Sequence, residues 1–200
     1  MPELIRPDFR LHASYVDAMR ELQAEGRGGP DDDSTLGRAI REYGPRWQDP
    51  QVFAKYVDGI LADAEVAGHP EGYVPRSTFW YVDGNTYLGR VAIRHFLTPA
   101  LRERNGHIGY YVRPTARRRG HATAILRAAL PLARELGIES ALITCDLDNT
   151  ASRKVIEACG GVYEGARSGK LRFWAPTLAR IDNQDQGQAG DAPSTSARSM

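Results

Sequence analysis

Residues 138–145, Ile-Glu-Ser-Ala-Leu-Ile-Thr-Cys, carry an apolar run through Ala141, Leu142, Ile143 and Cys145. A strand with one wet face alternates apolar and polar residues, so this run reads as a strand buried on both faces. Before it, Ile125, Leu126, Ala129, Leu130 and Ala133 recur at helical spacing over residues 122–136. After it, residues 151–159 form a second helical stretch stopped by Gly160-Gly161, and residues 170–174 form a last strand. Pro131 lies inside the first of these helices and removes a backbone hydrogen bond at a cost of about 3 kcal/mol, which predicts a kink or a break into two short helices.

Upstream, residues 78–82, 87–96 and 107–112 are rich in aromatic and β-branched side chains, with a strong hairpin turn at Asp83-Gly84-Asn85. Three antiparallel strands are the simplest account. The first third reads as a strand over residues 4–11 and a helix over 14–25. A Gly/Pro loop over 26–34 follows, then a helix over 35–43 capped by Asp33 or Ser34, and a helix over 51–67. Residues 182–200 contain no Val, Ile, Leu, Phe, Tyr or Trp and cannot offset their ordering entropy. The expected organisation is one domain over residues 1–177 and a disordered tail over 178–200.

Composition excludes several classes. No stretch approaches the roughly 20 apolar residues that span a bilayer. The N-terminus mixes Glu3, Arg6, Asp8 and Arg10 and lacks the pattern of a secretory leader, so a cytoplasmic location is expected. With 26 Lys+Arg against 25 Asp+Glu the net charge is +1, too small for a protein built to sit on nucleic acid. The two cysteines, Cys145 and Cys159, read as buried thiols, and no metal site is indicated.

The segment from Tyr110 to Thr123 runs from a strand through a turn into a helix and holds Arg113, Arg117, Arg118, Arg119, Gly120, His121 and Ala122. A helix's first turn presents unpaired N–H groups and the positive end of its dipole, and small residues there let an anion approach the main chain. The arginines add fork-shaped donors suited to phosphate. A diphosphate is the natural ligand, with RNA phosphates or a merely solvated turn as alternatives. The spacings of a Walker A loop and of a three-glycine dinucleotide fingerprint are both absent.

Arg117-x-x-Gly120-x-Ala122 resembles the pyrophosphate loop of the GNAT superfamily of acetyl-CoA-dependent acyltransferases. Asn149-x-x-Ser152, in a helix ending at Gly160, resembles the family's N-x-x-S helix. The resemblance covers roughly residues 73–174, and residues 72–75 and 107–110 are similar to a subgroup of predicted acetyltransferases. It implies an α+β fold whose mixed central sheet is flanked by helices and whose fourth and fifth strands splay to admit the pantetheine arm. It further implies that the backbone of Tyr111, Val112 and Arg113 bonds that arm, and that Arg117, Arg118, Arg119, Gly120, His121, Ala122 and Thr123 form the diphosphate loop. Asn149 and Ser152 would lie near the pantetheine and the sulfur end, and Lys154 or an arginine near the adenosine phosphate.

The implied reaction is direct transfer of an acetyl group from acetyl-CoA to a primary amine of a small molecule or protein. His107 stands where several relatives place a glutamate base, which makes it the candidate catalytic base. A backbone N–H of the fourth strand would polarise the acetyl carbonyl. Many relatives carry a tyrosine as general acid seven residues after the helix asparagine; here that residue is Ile156, and Tyr110, Tyr111 and Tyr163 are the alternatives. That departure motivates a second reading, a noncatalytic CoA-binding module. Asp31–Asp33 and the aromatics Trp47, Tyr73, Phe79, Trp80 and Tyr81 are candidates to meet the acceptor, against plainer readings as a turn and as core. A homodimer stays open.

Overall fold

The computed structural model describes residues 1–65 and 72–177. Seven strands, β1 (Glu3–Ile5), β2 (Arg76–Asp83), β3 (Thr86–Arg94), β4 (Ile108–Val112), β5 (Ser140–Asp146), β6 (Val162–Arg167) and β7 (Lys170–Pro176), form one mixed sheet in the order β1-β2-β3-β4-β5-β7-β6. All neighbours pair antiparallel except β4 and β5, which are parallel. The helices are α1 (His12–Ala24), α2 (Thr35–Tyr43), α3 (Pro50–Ala62), α4 (Pro99–Arg104), α5 (His121–Glu135) and α6 (Thr150–Ala158).

The sheet's period-2 alternation divides the core between its faces. Ile125, Leu126, Ala129 and Ala133 of α5 and Ile156 of α6 pack with Val91, Ile93, Ile108, Val112 and Ile143 on one face. Tyr15, Met19 and Leu22 of α1, Ile40 of α2 and Phe53 and Val57 of α3 pack with Trp80, Val82 and Tyr87 on the other. Ala141, Leu142, Ile143 and Cys145 of β5 are all buried, as the apolar run requires.

The joint between β4 and β5 decides where a ligand can enter. Their only register pair is Ile108 with Ile143. Gly106 adds an antiparallel bridge to Ile143, and its φ of 70° and lack of a Cβ permit it, since a Cβ would lie 2.4 Å from the Leu142 carbonyl oxygen. Beyond Ile108 the two strands part, so the expected splay is present.

Several expectations need correction. The first strand stops at Ile5, because Pro7 and the cap at Asp8 start a 3₁₀ turn over Phe9–Leu11. The third helix ends at Ala62, and residues 66–67 of its expected span lie outside the described residues, as does the expected tail. α5 is one helix through Pro131 rather than two. Pro131 and Arg127 are both exposed, so the Arg127 carbonyl left without a helical donor faces water while Leu126, Leu130 and Ala133 hold the helix to the sheet. Two elements were not expected: α4, capped by Thr98 with Pro99 in its first turn, and β6, joined to β7 by Ser168 and Gly169, both at positive φ.

Candidate active site

The edge of β4 facing the splay is set by its register with β3. Arg94 N–H donates to the His107 carbonyl and Arg113 N–H to the Leu88 carbonyl, each at 2.8 Å. Arg90–Tyr111 and Ala92–Gly109 fall in the same alternation. The main-chain groups of Tyr111 and Arg113 therefore turn toward β3, and those of Tyr110 and Val112 turn toward the gap. Arg117 Nε donates to the Val112 carbonyl at 3.2 Å, which leaves the N–H groups of Tyr110 and Val112 on the open edge. Of the three backbones expected to meet the arm, Val112 faces the gap, Tyr111 does not, and the Arg113 amide is committed to Leu88.

After β4 a 3₁₀ turn (Pro114–Ala116) leads into the arginine segment. Arg118 and Gly120 take left-handed conformations, with φ of 61° and 81°, and Gly120 caps α5. A Cβ added at Gly120 would meet nothing within 4 Å, so the space in front of the cap is open. Gly120 O accepts from Ala124 N at 3.1 Å, whereas the N–H groups of His121, Ala122 and Thr123 have no acceptor among the described residues. Three convergent donors at the positive end of a 15-residue helix suit a doubly charged phosphate ester.

The arginines divide into two pairs. Arg113 is bound by Glu21 of α1, at 2.6 and 2.7 Å, and by Ser14; Glu21 also accepts from Thr115 N and Oγ1. Arg117 makes a two-pronged pair with Glu25 at 2.8 Å on each arm. These two tie the loop to α1 and are not turned outward as a ligand set. Arg118 and Arg119 are exposed and make no ion pair among the described residues. Glu21 and Glu25 were missed by sequence reasoning, and no local signal marks them, since each lies more than 90 residues from its partner.

On the far side of the gap, Asn149 caps α6 by accepting from Ser152 N at 2.9 Å. Ser152 Oγ meets the Tyr110 hydroxyl at 2.9 Å, a contact that crosses from α6 to β4. Burial pushes the Tyr110 phenol up to about 12 against the opposing Ser152 bond. Ile156, where relatives carry a tyrosine, is fully buried in the core, Tyr163 is exposed on β6, and the Tyr111 hydroxyl bonds Tyr87 on the opposite face. Lys154 is exposed on α6, with no contact joining it to the loop. Cys145 is buried and Cys159 half-buried, and neither forms a disulfide.

His107 is not arranged as a base. Its Nδ1 accepts from Leu142 N–H at 2.9 Å, so the neutral ring carries its proton on Nε2 and has no spare lone pair. Burial, with Arg102 and Arg94 nearby, lowers its pKa to about 4. The ring fastens β4 to β5 instead. Asp32 of the acidic trio accepts from Gly28 and Ser34 backbone and pairs with Arg27, which makes it a turn residue, and Trp47 and Trp80 are core.

A family model described as acetyltransferase (GNAT) domain matches residues 33–162. Among solved structures, Mycobacterium smegmatis RimJ in complex with CoA-disulfide superposes with a TM-score of 0.61 at 19% identity, over 88% of this chain and 81% of that one. RimL, a ribosomal L7/L12 alpha-N-protein acetyltransferase in complex with coenzyme A, gives 0.57 at 18% identity over 86% and 92%. The microcin C7 self-immunity acetyltransferase MccE, in complex with acetyl-CoA and AMP, gives 0.56 at 14% identity over 88% and 92%. At these identities the likeness is one of fold. No curated protein matches the chain in sequence.

Proposed function

The chain belongs to the GNAT acetyltransferase family, and from that premise we propose that it transfers an acetyl group directly from acetyl-CoA to a primary amine. The observation that carries this reading is the corner where three acceptorless N–H groups, those of His121, Ala122 and Thr123, open in front of Gly120 beside the free edge of β4. Those amides with Arg118 and Arg119 hold the diphosphate; Arg113 and Arg117 hold the loop against α1. The N–H groups of Tyr110 and Val112 extend the strand ladder toward the pantetheine arm, as an added strand would.

Acetyl-CoA supplies an activated thioester. The protein's part is to polarise the acyl oxygen with an edge N–H of β4 and to steady the departing sulfur. Tyr110 is the side chain suited to steadying the sulfur, because its hydroxyl sits on the gap side, held by Ser152, and stays protonated across the neutral range. It takes the place that Ile156 cannot fill. The amine's proton leaves to solvent, since the His107 lone pair is already used.

A melting-shift titration with acetyl-CoA, followed by thiol release in the presence of an amine panel, tests the reading. Saturable stabilisation rising as RT ln(1 + [L]/Kd), together with amine-dependent thiol release, is expected. Tight binding with no turnover over the whole panel would instead favour a noncatalytic CoA-binding module, and no stabilisation would overturn both.

A further inference from the structure

The face of the sheet turned toward α1–α3 carries more positive charge than the described residues neutralise. On that face Arg76, Thr78 and Trp80 of β2 stand opposite Arg94, Ala92 and Arg90 of β3. Ala92 and Arg90 stand in turn opposite Gly109 and Tyr111 of β4. The middle row, Thr78, Ala92 and Gly109, is made of small residues, and above Gly109 no atom lies within 4 Å of where a Cβ would be. Gly109 is exposed, so solvent reaches this row from the β4 side.

Around that opening the donors outnumber the acceptors. Arg90 is 5% exposed and makes no hydrogen bond or ion pair among the described residues; it lies among the hydroxyls of Tyr56, Tyr87 and Tyr111, with no carboxylate. The Arg94 guanidinium donates once, to the Gly106 carbonyl at 3.1 Å, and has no acidic partner among the described residues. Burial, and after it the charges of Arg76, Arg90 and Arg38, lower its pKa to about 10. Asp63 is the carboxylate in contact with this group, and it is occupied by Arg76 and the Tyr73 hydroxyl. Thr78 Oγ1, Trp80 Nε1 and Arg76 Nε are buried polar atoms on the same face without partners among the described residues. An uncompensated buried guanidinium is costly, and so many unmet donors on one face point to an anion that completes them.

We propose that the opening over Ala92 and Gly109 is the acceptor's site and that Arg90 and Arg94 grip an anionic group, carboxylate or phosphate, carried by the amine substrate. This deepens the acetyl-transfer reading and rests on it for the identity of the substrate. Arg90 and Arg94 each lie about 7 Å from Ala92 along β3, within reach of a side chain of that length. The opening borders β4 one strand from the splay, so an anion held there leaves a neighbouring amine beside the Tyr110 edge. The same charges repel a simple alkylammonium and favour an acceptor whose own negative charge offsets its positive one.

The test compares ethanolamine, β-alanine and phosphoethanolamine, which are a neutral, a carboxylate and a phosphate version of one small amine. Acceptor kcat/KM is read by thiol release, and acceptor binding without acetyl-CoA is read by intrinsic tryptophan fluorescence, to which Trp80, the cross-strand partner of Arg90, contributes. The wild type should prefer at least one anionic amine at least tenfold, the stronger of the two identifying the anion. Arg94→Gln should bring that ratio to within about twofold of unity, and Arg90→Lys, which keeps the charge but loses the fork, should lower it partway; stabilisation by acetyl-CoA reports that each variant folds. If no amine is turned over but the anionic amines alone perturb the fluorescence, and Arg94→Gln abolishes this, the anion site stands and acetyl transfer falls. Equal treatment of the three amines in both assays, or a preference that survives in Arg94→Gln, overturns the proposal.

Discussion

His107 and Leu142 clasp each other twice: the His107 N–H donates to the Leu142 carbonyl at 2.7 Å, and the Leu142 N–H donates to His107 Nδ1 at 2.9 Å. The clasp sits immediately before β4 and β5 part, so it fixes the mouth of the gap. His107→Ala should cost about 1–2 kcal/mol of stability, since it leaves the Leu142 amide without its acceptor. The pH dependence has a definite sign. The imidazole binds its proton more weakly folded, at about 4, than unfolded, near the ordinary 6.5. Its contribution is therefore full above pH 6.5 and drains away as pH falls toward 4. Melting scans across that window should show the wild type losing stability more steeply than His107→Ala, and the near-neutral limb of the transfer rate should be common to both.

The division of the arginines predicts two kinds of variant. Arg117 and Glu25 are 45% and 43% exposed, so Arg117→Ala should cost under about 1 kcal/mol of stability and loosen acetyl-CoA only through the loop. Replacing Arg118 and Arg119 together by Ala should leave stability within about 0.5 kcal/mol. It should weaken acetyl-CoA binding about tenfold, on the scale of one lost charged hydrogen bond. It should also flatten the salt dependence of binding. Calorimetric titration at two ionic strengths separates the cases, and an unchanged affinity in the double variant would remove these residues from the site.

Gly120 permits a graded test, because its surroundings are open although its backbone is left-handed. Gly120→Ala adds a Cβ that meets nothing, so its cost is conformational, about 1–2 kcal/mol, and binding should survive. Gly120→Glu carries the same conformational cost and also sets a carboxylate before the α5 amides. Acetyl-CoA should then give no melting shift. Equal shifts for the two variants would place the diphosphate elsewhere.

The fold was legible wherever a residue's partner is dictated by local pattern. The apolar run ending at Cys145 placed β5, the turn at Asp83-Gly84-Asn85 placed β2 against β3, and Ser34 placed the start of α2. β6 escaped because it is a largely exposed edge strand with no apolar face, although Ser168-Gly169 marks its hairpin. The candidate site's glycine turn and helix start were legible as local structure, but its side-chain allegiances were not. The arginine run reads as one ligand set until Glu21 and Glu25 arrive from α1, and His107 reads as a base until Leu142 takes its lone pair from the neighbouring strand. Such pairings depend on tertiary approach, which spacing along one segment does not encode.

Tyr110 carries the last prediction. Its phenol is pushed up to about 12 by burial and its hydroxyl is steered by Ser152, whose position is set by the Asn149 cap. A thiol near pKa 8.5 is a much stronger acid, so full proton transfer from Tyr110 to a departing thiolate is uphill by about 5 kcal/mol. On the proposed mechanism the side chain therefore acts by donating a hydrogen bond to the developing charge. Tyr110→Phe should lower kcat about tenfold to a hundredfold while acetyl-CoA affinity stays within about twofold, the pattern of an interaction made chiefly in the transition state. Ser152→Ala should give a smaller fall in kcat, because the hydroxyl remains but loses its orientation. With a pKa of about 12, Tyr110 stays protonated throughout an assay range of about pH 6–10. The rate profile should accordingly show no falling limb in the wild type that Tyr110→Phe abolishes. Steady-state kinetics of the two variants across that range decide the matter: a kcat equal to wild type in Tyr110→Phe would return the thiolate to solvent unaided.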